Sequence, residues 1–561
     1  MSDQIVSSGG GTLGRRRILQ AGLGSLAVLG TGCSAITGEG GAPQPAASGG
    51  NTGQVPKFIP APPVDGEIKS QVPGLPNAYA KVPDPLRASW PEKPGDGTSM
   101  SMFSIIWSPP PPPVGQNPFW KDLNERLGMD LKMVWGPSDA YESKLATLLA
   151  GGDLPDVTNL LPNPIGDKAL KQGAFADLTD FLAGDKMQNY PNLAANTAED
   201  AWKNTMINGR VMGITNPVPA VDTVFIHRGD WAKKIGLAGP PTNAEEFREF
   251  LINIPKAIPP QNGQTPYGIG AFPGSIMAFI LAMFRVGPEW QLTDGGLVAR
   301  IDTPEYEAAI TWCRELWAAG GYHPDALALD AQEIKVLGMF NSNQIGIAKG
   351  GLGWAFTATS DGRKMLEKGD GIATLLPPGH DGGKCKWVNT TGWFSRWGIS
   401  AKAAEKPGRV ETILRCIDYL SACFGTKEYM ANRFGIEGRH WNYDKDHVPT
   451  SVDDPTLQAE LTGLTQYPHA YYYPGTPTGF SDALAFAEAL AADGFDNPIG
   501  SLPSEVGDRL GGVLEKISDD YINQIVSGRR PMSDFAAFKA EWHKRGGDQI
   551  KADLEKQLAA R

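Results

Sequence analysis

From residue 100 onward the apolar positions fall into short runs separated by helical stripes. MSMFSIIW, Met100 to Trp107, is an apolar run suited to a buried strand. It leads into Ser108 and five prolines, Pro109–Pro113, which must be extended and cannot join a sheet interior. The spacing then predicts a helix over Asn117–Leu127 and a second strand over Asp130–Trp135. In YESKLATLLAGGDLPDV, Tyr141, Leu145, Leu148 and Leu149 share one helical face. Gly151-Gly152 stops that helix, and Asp156–Leu161 predicts the next strand. Strand, helix, strand, helix, strand in close order argues for a parallel sheet.

The same signals continue further on. Thr242 with Glu245 three residues later is a capping-box pattern, and Phe247, Phe250 and Leu251 supply the buried stripe behind it. Thr303-Pro304 starts a helix with proline in its first turn, with Tyr306, Ile310, Cys313 and Trp317 inward and Gly320-Gly321 as the stop. A third helix is predicted from about Gly408 to Ala422, with Val410, Ile413, Leu414, Ile417 and Leu420 on its core side. The charged stretch from Asp534 is helix-prone and expected on the outside. No period of about 20–50 residues is present. The pattern is that of an α/β protein.

The front of the chain differs. Ile18–Gly32 is apolar but only 15 residues long, below the roughly 20 a helix needs to cross a bilayer core. A basic start, a short apolar stretch and small residues before a cut site describe a secretory signal. Arg15-Arg16, followed by Arg17-Ile18-Leu19, resembles the twin-arginine export signal. Gly30-Thr31-Gly32-Cys33 resembles a lipobox, which implies lipidation of Cys33 after cleavage; the usual leucine three positions before the cysteine is replaced, and Leu29 sits one residue earlier. Residues 34–98 are dominated by Gly, Pro, Ala and Ser and read as a disordered tether. About 460 residues follow, enough for two or three cores.

Charge and rare residues narrow the chemistry. The chain carries −11 and residues 1–32 carry +2, so the processed form is at −13. An acidic body without a basic run is a poor nucleic-acid binder. Cys416 and Cys423 are seven apart in a helical pattern, about 10 Å between Cα atoms and too far for a disulfide, while Cys313 and Cys385 could pair. The seven histidines are scattered, with no HExxH or paired Cys/His spacing, so no metal site or cofactor is expected.

Five stretches in order resemble the extracellular solute-binding proteins of ABC importers, family 1, and within it the long sugar-binding lipoprotein branch of the LipO/LplA type. They are YESKLATLLAGGDLPDV; NGRVMGITNPV from Asn208; FIHRGDWAKKIGLAGPPTNAEEF from Phe225; DTPEYEAAITWCRELWAAGGYHPD; and RFGIEGRHW, Arg433 to Trp441. The resemblance covers about Met100–Tyr443 and implies a two-lobed α/β fold of the periplasmic-binding-protein type II, with a hinge between lobes. On that basis residues 1–33 are the signal, 34–98 the tether, 99–216 with 390–450 lobe 1, and 217–389 with 451–561 lobe 2. The implied protein is a non-enzymatic monomer, exported and lipid-anchored to the outer face of the cell membrane. It would capture a sugar or oligosaccharide in the cleft and pass it to the permease subunits. A secreted glycosidase with two carboxylates at suitable spacing and a surface adhesion module are the alternatives.

Ligand sites in open α/β sheets lie at strand ends, which places Trp107 in the cleft. The prolines after it either stiffen its loop or form a surface spacer. Asn159, just past Leu-Pro-Asp, is a candidate polar contact, and Trp120 a further candidate. Trp354 in GGLGWA and Trp393 in TTGWF sit in glycine-rich turns where an indole suits a sugar face, or they are core. Arg228 and Asp230 could reach ligand hydroxyls or pair structurally, and Glu437 with Arg439 carries the same ambiguity. Fifteen tryptophans and 14 tyrosines, including Tyr471-Tyr472-Tyr473, suit carbohydrate binding and core packing alike. No catalytic residue is predicted.

Overall fold

Successive residues of an extended strand point to opposite faces, and the strand Ser99–Ile106 uses both. Met100 and Met102 enter one apolar cluster with Leu123, Leu131, Trp397 and Ile413, while Phe103 and Ile105 enter another with Tyr141, Leu145 and Leu160. A sheet with both faces covered follows, as a parallel sheet requires. The structure is a computed structural model that describes residues 53–559, apart from 331–332, 358–360, 368–370, 466–469, 496, 498, 501 and 503. The expected signal, with Arg15, Arg16 and Cys33, lies outside the described residues.

Nine strands build two principal sheets: β1 (Ser99–Ile106), β2 (Asp130–Pro137), β3 (Val157–Leu160), β4 (Ile214–Pro217), β5 (Thr223–Arg228), β6 (Tyr267–Ile269), β7 (Ile345–Gly351), β8 (Ile372–Thr374) and β9 (Trp393–Ile399). The first sheet has the order β2-β1-β3-β9-β4, with β1, β2 and β3 parallel and β9 antiparallel to both neighbours. The second has the order β8-β5-β7-β6 and a core of its own around Phe225, Phe247, Phe279 and Ile310. Chain order explains the division. The first sheet is interrupted after Pro217 and resumes at Trp393, and all four strands of the second sheet lie between.

Local chemistry accounts for several of the motifs. Asp156 of Leu-Pro-Asp accepts from the Ser101 N–H at 2.9 Å and pairs with Arg409 Nη2 at 3.0 Å, tying the start of β3 to the helix Arg409–Leu420. In NGRVMG, Asn208 and Gly209 both have positive φ (52° and 72°), and Ile207 and Arg210 exchange backbone hydrogen bonds across them. Glycine at 229 is a matter of room: a Cβ there would stand 2.1 Å from the Gly371 carbonyl oxygen. The cap of the helix Ala244–Ala257 is one residue later than the spacing predicts. Asn243 accepts from the Glu246 N–H at 2.9 Å, and the Glu246 carboxylate reaches back to the N–H and hydroxyl of Thr242.

Three expectations need correction. The stretch 34–98 is ordered from residue 53: Leu75, Ala78 and Val82 are buried and Trp90 packs on the first lobe. Its few apolar residues occupy gaps in cores that other segments build, which composition cannot reveal; residues 34–52 lie outside the described residues. Second, the chain after 450 does not pass at once into lobe 2. The helix Pro455–Leu461 and Leu464 pack with the first lobe, and the second core is rejoined at Tyr471. Third, the C-terminal stretch is not an outer layer, since Phe535, Phe538 and Trp542 are buried in the second core. Cys313, Cys385, Cys416 and Cys423 are free thiols.

One buried charge organises the first lobe. Asp418 is 0 % exposed and accepts from Trp90 Nε1 at 2.8 Å, the Leu193 N–H at 2.8 Å and Asn192 Nδ2 at 3.0 Å. Burial pushes its carboxyl up to about 6 despite those donors. A folded-state value above the unfolded one stabilises below the unfolded value and loses that contribution as pH rises through about 6. Asp418→Ala, which strands three donors, is therefore expected to cost about 3–5 kcal/mol. Asp418→Asn should lower the gain in stability between pH 7.5 and pH 4.5 by on the order of 2 kcal/mol relative to the parent. Urea titrations at the two pH values check both.

Candidate functional site

The segments that join the lobes lie side by side. After β4 the chain crosses through 218–222, and before β9 it returns through 375–392. Val218 N–H donates to the Gly392 carbonyl at 3.1 Å, Thr390 N–H to Ala220 at 3.1 Å, and the Thr390 hydroxyl to Pro219 at 2.8 Å. Beside this junction the C-terminal ends of the parallel strands β1 and β3 meet the N-terminal end of β9, and the site is built there.

Trp107, the residue after β1, is 56 % exposed, with its ring 5.7 Å from that of Phe394. Trp393 opens β9 and is half-buried, with the guanidinium of Arg396 4.9 Å from its ring centre. Arg396 is 6 % exposed; its Nη2 stands 3.6 Å from Asp167 Oδ1, and its Nη1 is buried with no partner. Burial raises the Asp167 carboxyl above its usual value while Arg396 pulls it down, and burial likewise lowers the Arg396 value. The pair is thus desolvated and incompletely hydrogen-bonded, an arrangement that favours any ligand oxygen able to complete it. Asp167 lies on the helix Pro164–Lys171, and at the end of that helix Lys171 pairs with Asp508. Asp508 is in the first turn of Glu505–Val526, a helix rooted in the second core by Leu514 and Ile517, so this ion pair joins the lobes.

Asn159 is 0 % exposed in β3, and both polar atoms of its amide lack a partner. It lies opposite Trp397 in the ladder with β9, on the face behind which a cavity of about 50 Å³ is lined by Met102, Met133, Asn216, Pro217 and Gly463. Ligand pockets usually enclose about 300–1,000 Å³, so this cavity by itself is too small for a guest of several rings.

The remaining predicted residues are not brought to this edge. Trp120 is 7 % exposed, packs in the first core and donates its indole N–H to the Leu131 carbonyl at 3.1 Å, so it is a core residue and not a ligand contact. Arg228 and Asp230 sit at the end of β5 away from the crossing 218–222, about 17 Å along an extended strand from Thr223. Arg228 makes a two-pronged pair with Asp230 at 2.8 Å, bonds Asn343 and covers the Trp231 ring at 4.5 Å. Of the two readings for that pair, the geometry favours the structural one. Trp354 follows β7 on the second lobe and packs against that core and Phe340, under Gly350 and Gly362. Glu437 is exposed in a turn whose neighbours Arg439 and His440 both bind Glu460. Tyr471, Tyr472 and Tyr473 are buried. Sequence reasoning missed Phe394, Arg396, Asp167 and the Lys171–Asp508 pair. Only Arg396, a charge set inside an apolar strand pattern, leaves a local signal. Among the described residues no group of three His, Cys, Asp or Glu could hold a metal ion.

Comparison with known proteins agrees with this architecture. The family described as bacterial extracellular solute-binding protein matches residues 119–415. Lipoprotein LipO of Bacillus subtilis is 25 % identical over 474 residues, 80 % of this chain and 90 % of that protein. The polygalacturonan/rhamnogalacturonan-binding protein YtcQ of the same organism is 22 % identical over 497 residues, 85 % and 95 % of the two chains. Among solved structures, an HMO-binding, ABC-transporter-associated solute-binding protein of Bifidobacterium longum infantis superposes with a TM-score of 0.61 at 17 % identity, covering 82 % of this chain and 99 % of that one. The alginate-binding protein AlgQ2 gives 0.60 at 15 %, covering 84 % and 99 %. These likenesses show a two-lobed solute-binding fold.

Arg228→Ala and Asp230→Ala should each lower stability by about 2–4 kcal/mol, because the partner left behind is buried and charged. Neither should change the affinity for any soluble ligand once the folded fraction is accounted for, which calorimetric unfolding and titration check together.

Proposed function

The chain belongs to the bacterial extracellular solute-binding proteins, and from that premise we propose that it captures a sugar or oligosaccharide between its lobes and delivers it to the permease of an ABC importer. The observation that carries this reading is the strand-end edge, where exposed Trp107, Phe394 and half-buried Trp393 flank the unsatisfied Arg396–Asp167 pair. Flat indole faces suit the C–H faces of sugar rings, and an Arg–carboxylate pair suits their hydroxyl edges. The names of the relatives and neighbours above point the same way, toward polygalacturonan, alginate and HMO.

In this reading the ligand acts by population shift. It touches both lobes only when they are closed, so its differential affinity favours that state. Trp107, Trp393 and Arg396 hold it from the first lobe, with Asn159 completing a polar contact behind them. Trp354 is the candidate from the second lobe, and Glu437 is a further candidate contact. No residue performs chemistry on the guest. The twin-arginine-like start exports the chain, lipidation of Cys33 anchors it to the outer face of the cell membrane, and it works as a monomer beside its permease.

A thermal-shift panel of soluble mono- and oligosaccharides tests the proposal, because a ligand at 100 times its Kd stabilises by about 2.7 kcal/mol. A bound sugar that raises the melting temperature and lowers the radius of gyration supports it. Release of shorter products assigns a hydrolase instead, and binding restricted to insoluble polymer assigns adhesion. Trp393→Ala should weaken the best ligand about 30-fold, some 2 kcal/mol, with the melting temperature of the empty protein nearly unchanged. An equal loss of stability places Trp393 in the core. Cys33→Ser should move the protein from the membrane fraction to the soluble fraction of the producing cell.

A further inference from the structure

Residues 53–98 do more than cover a surface, because they run from the first lobe to the second and back. Val55 and Ile59 pack on the first lobe, where Ile59 N–H donates to Ala194 at 3.0 Å, and Val64 lies against Gly425. The chain then reaches the second lobe. Glu488 of the helix Gly479–Ala491 accepts from Gln71 N–H at 2.7 Å and the Ser70 hydroxyl at 3.1 Å, and Leu75 and Ala78 are buried in the second core. It returns at Val82 and Trp90, both packed on first-lobe clusters, and Trp90 is held by Asp418.

At its turning point this segment bonds the crossing 218–222 and Tyr471, where the chain rejoins the second core. Ala220 N–H donates to Gly74 at 2.9 Å, while Tyr79 N–H donates to Tyr471 at 3.0 Å and Tyr471 N–H to Asn77 at 3.1 Å. The ring of Tyr79 then stacks on Phe424 of the first lobe at 4.0 Å. Opening the lobes must therefore distort these bonds as well as bend the crossings. The return path is also short: three residues separate Ala78 in the second core from Val82 against the first lobe, and the four Cα–Cα steps can span at most about 14 Å.

We propose that residues 64–82 are a strap that limits how far the lobes open in the absence of ligand. The proposal rests on the reading that the lobes open and close around a guest, and it fails separately from that reading because its test needs no sugar. Spin labels placed by Glu125→Cys on the first lobe and Glu307→Cys on the second, in a Cys385→Ser background, report the interlobe distance in the full ligand-free chain. Glu488→Ala removes the acceptor that pins Ser70 and Gln71, and adding Leu75→Asp expels the strap from the second core. Both variants should give a broader distribution displaced to longer distance by several ångströms, with the double variant displaced further, while Glu488→Gln stays near the parent. A distribution that matches the parent in Glu488→Ala and in the double variant overturns the proposal. If the double variant does not fold, Glu488→Ala alone decides, since its change lies on a helix surface.

Discussion

Val218 and Thr390 carry the backbone bonds by which two crossing segments lie side by side, and the rest of the structure depends on that contact being main chain. The two sheets bury separate apolar clusters, so neither lobe needs the other to complete a core. A junction of extended backbone can bend by small φ/ψ changes at a few residues, whereas interdigitated side chains resist being pulled apart. The division at Pro217 and Trp393 thus gives the fold a junction that can bend at small cost.

Polar groups without partners also lie in the sheet beside this junction. A buried guanidinium nitrogen and a buried amide without partners are costly, and Arg396 and Asn159 keep both within one sheet. Asp418, by contrast, receives three donors, and the Arg228 guanidinium is bonded to Asp230 and Asn343. The Lys171–Asp508 pair adds attraction between lobes near this edge, and at partial exposure it is worth little by itself.

The proline-rich leader to the body shows how composition misleads. A segment poor in apolar residues cannot build a core, yet it can fill one. Leu75, Ala78, Val82 and Trp90 each enter a cluster assembled by distant parts of the chain. Its prolines lessen the entropy lost on ordering. Ordered on both lobes, the segment becomes part of the joint between them.

What the amino-acid order determined by itself was the material of each element. The run Met100–Trp107, the stripe of Arg409–Leu420, the turn at Asn208-Gly209 and the block from Phe225 to Phe247 are legible because strand alternation, helical period and positive φ act over a few residues. The family resemblance followed from those blocks in order. Only the tertiary structure decided that Trp120 closes a core while Trp107 stays open to solvent, that Arg228 is consumed by Asp230, and that Arg396 meets Asp167 from 229 residues away. Burial and ion pairing depend on which segments converge in space, and contacts between distant residues leave no period in the chain that makes them.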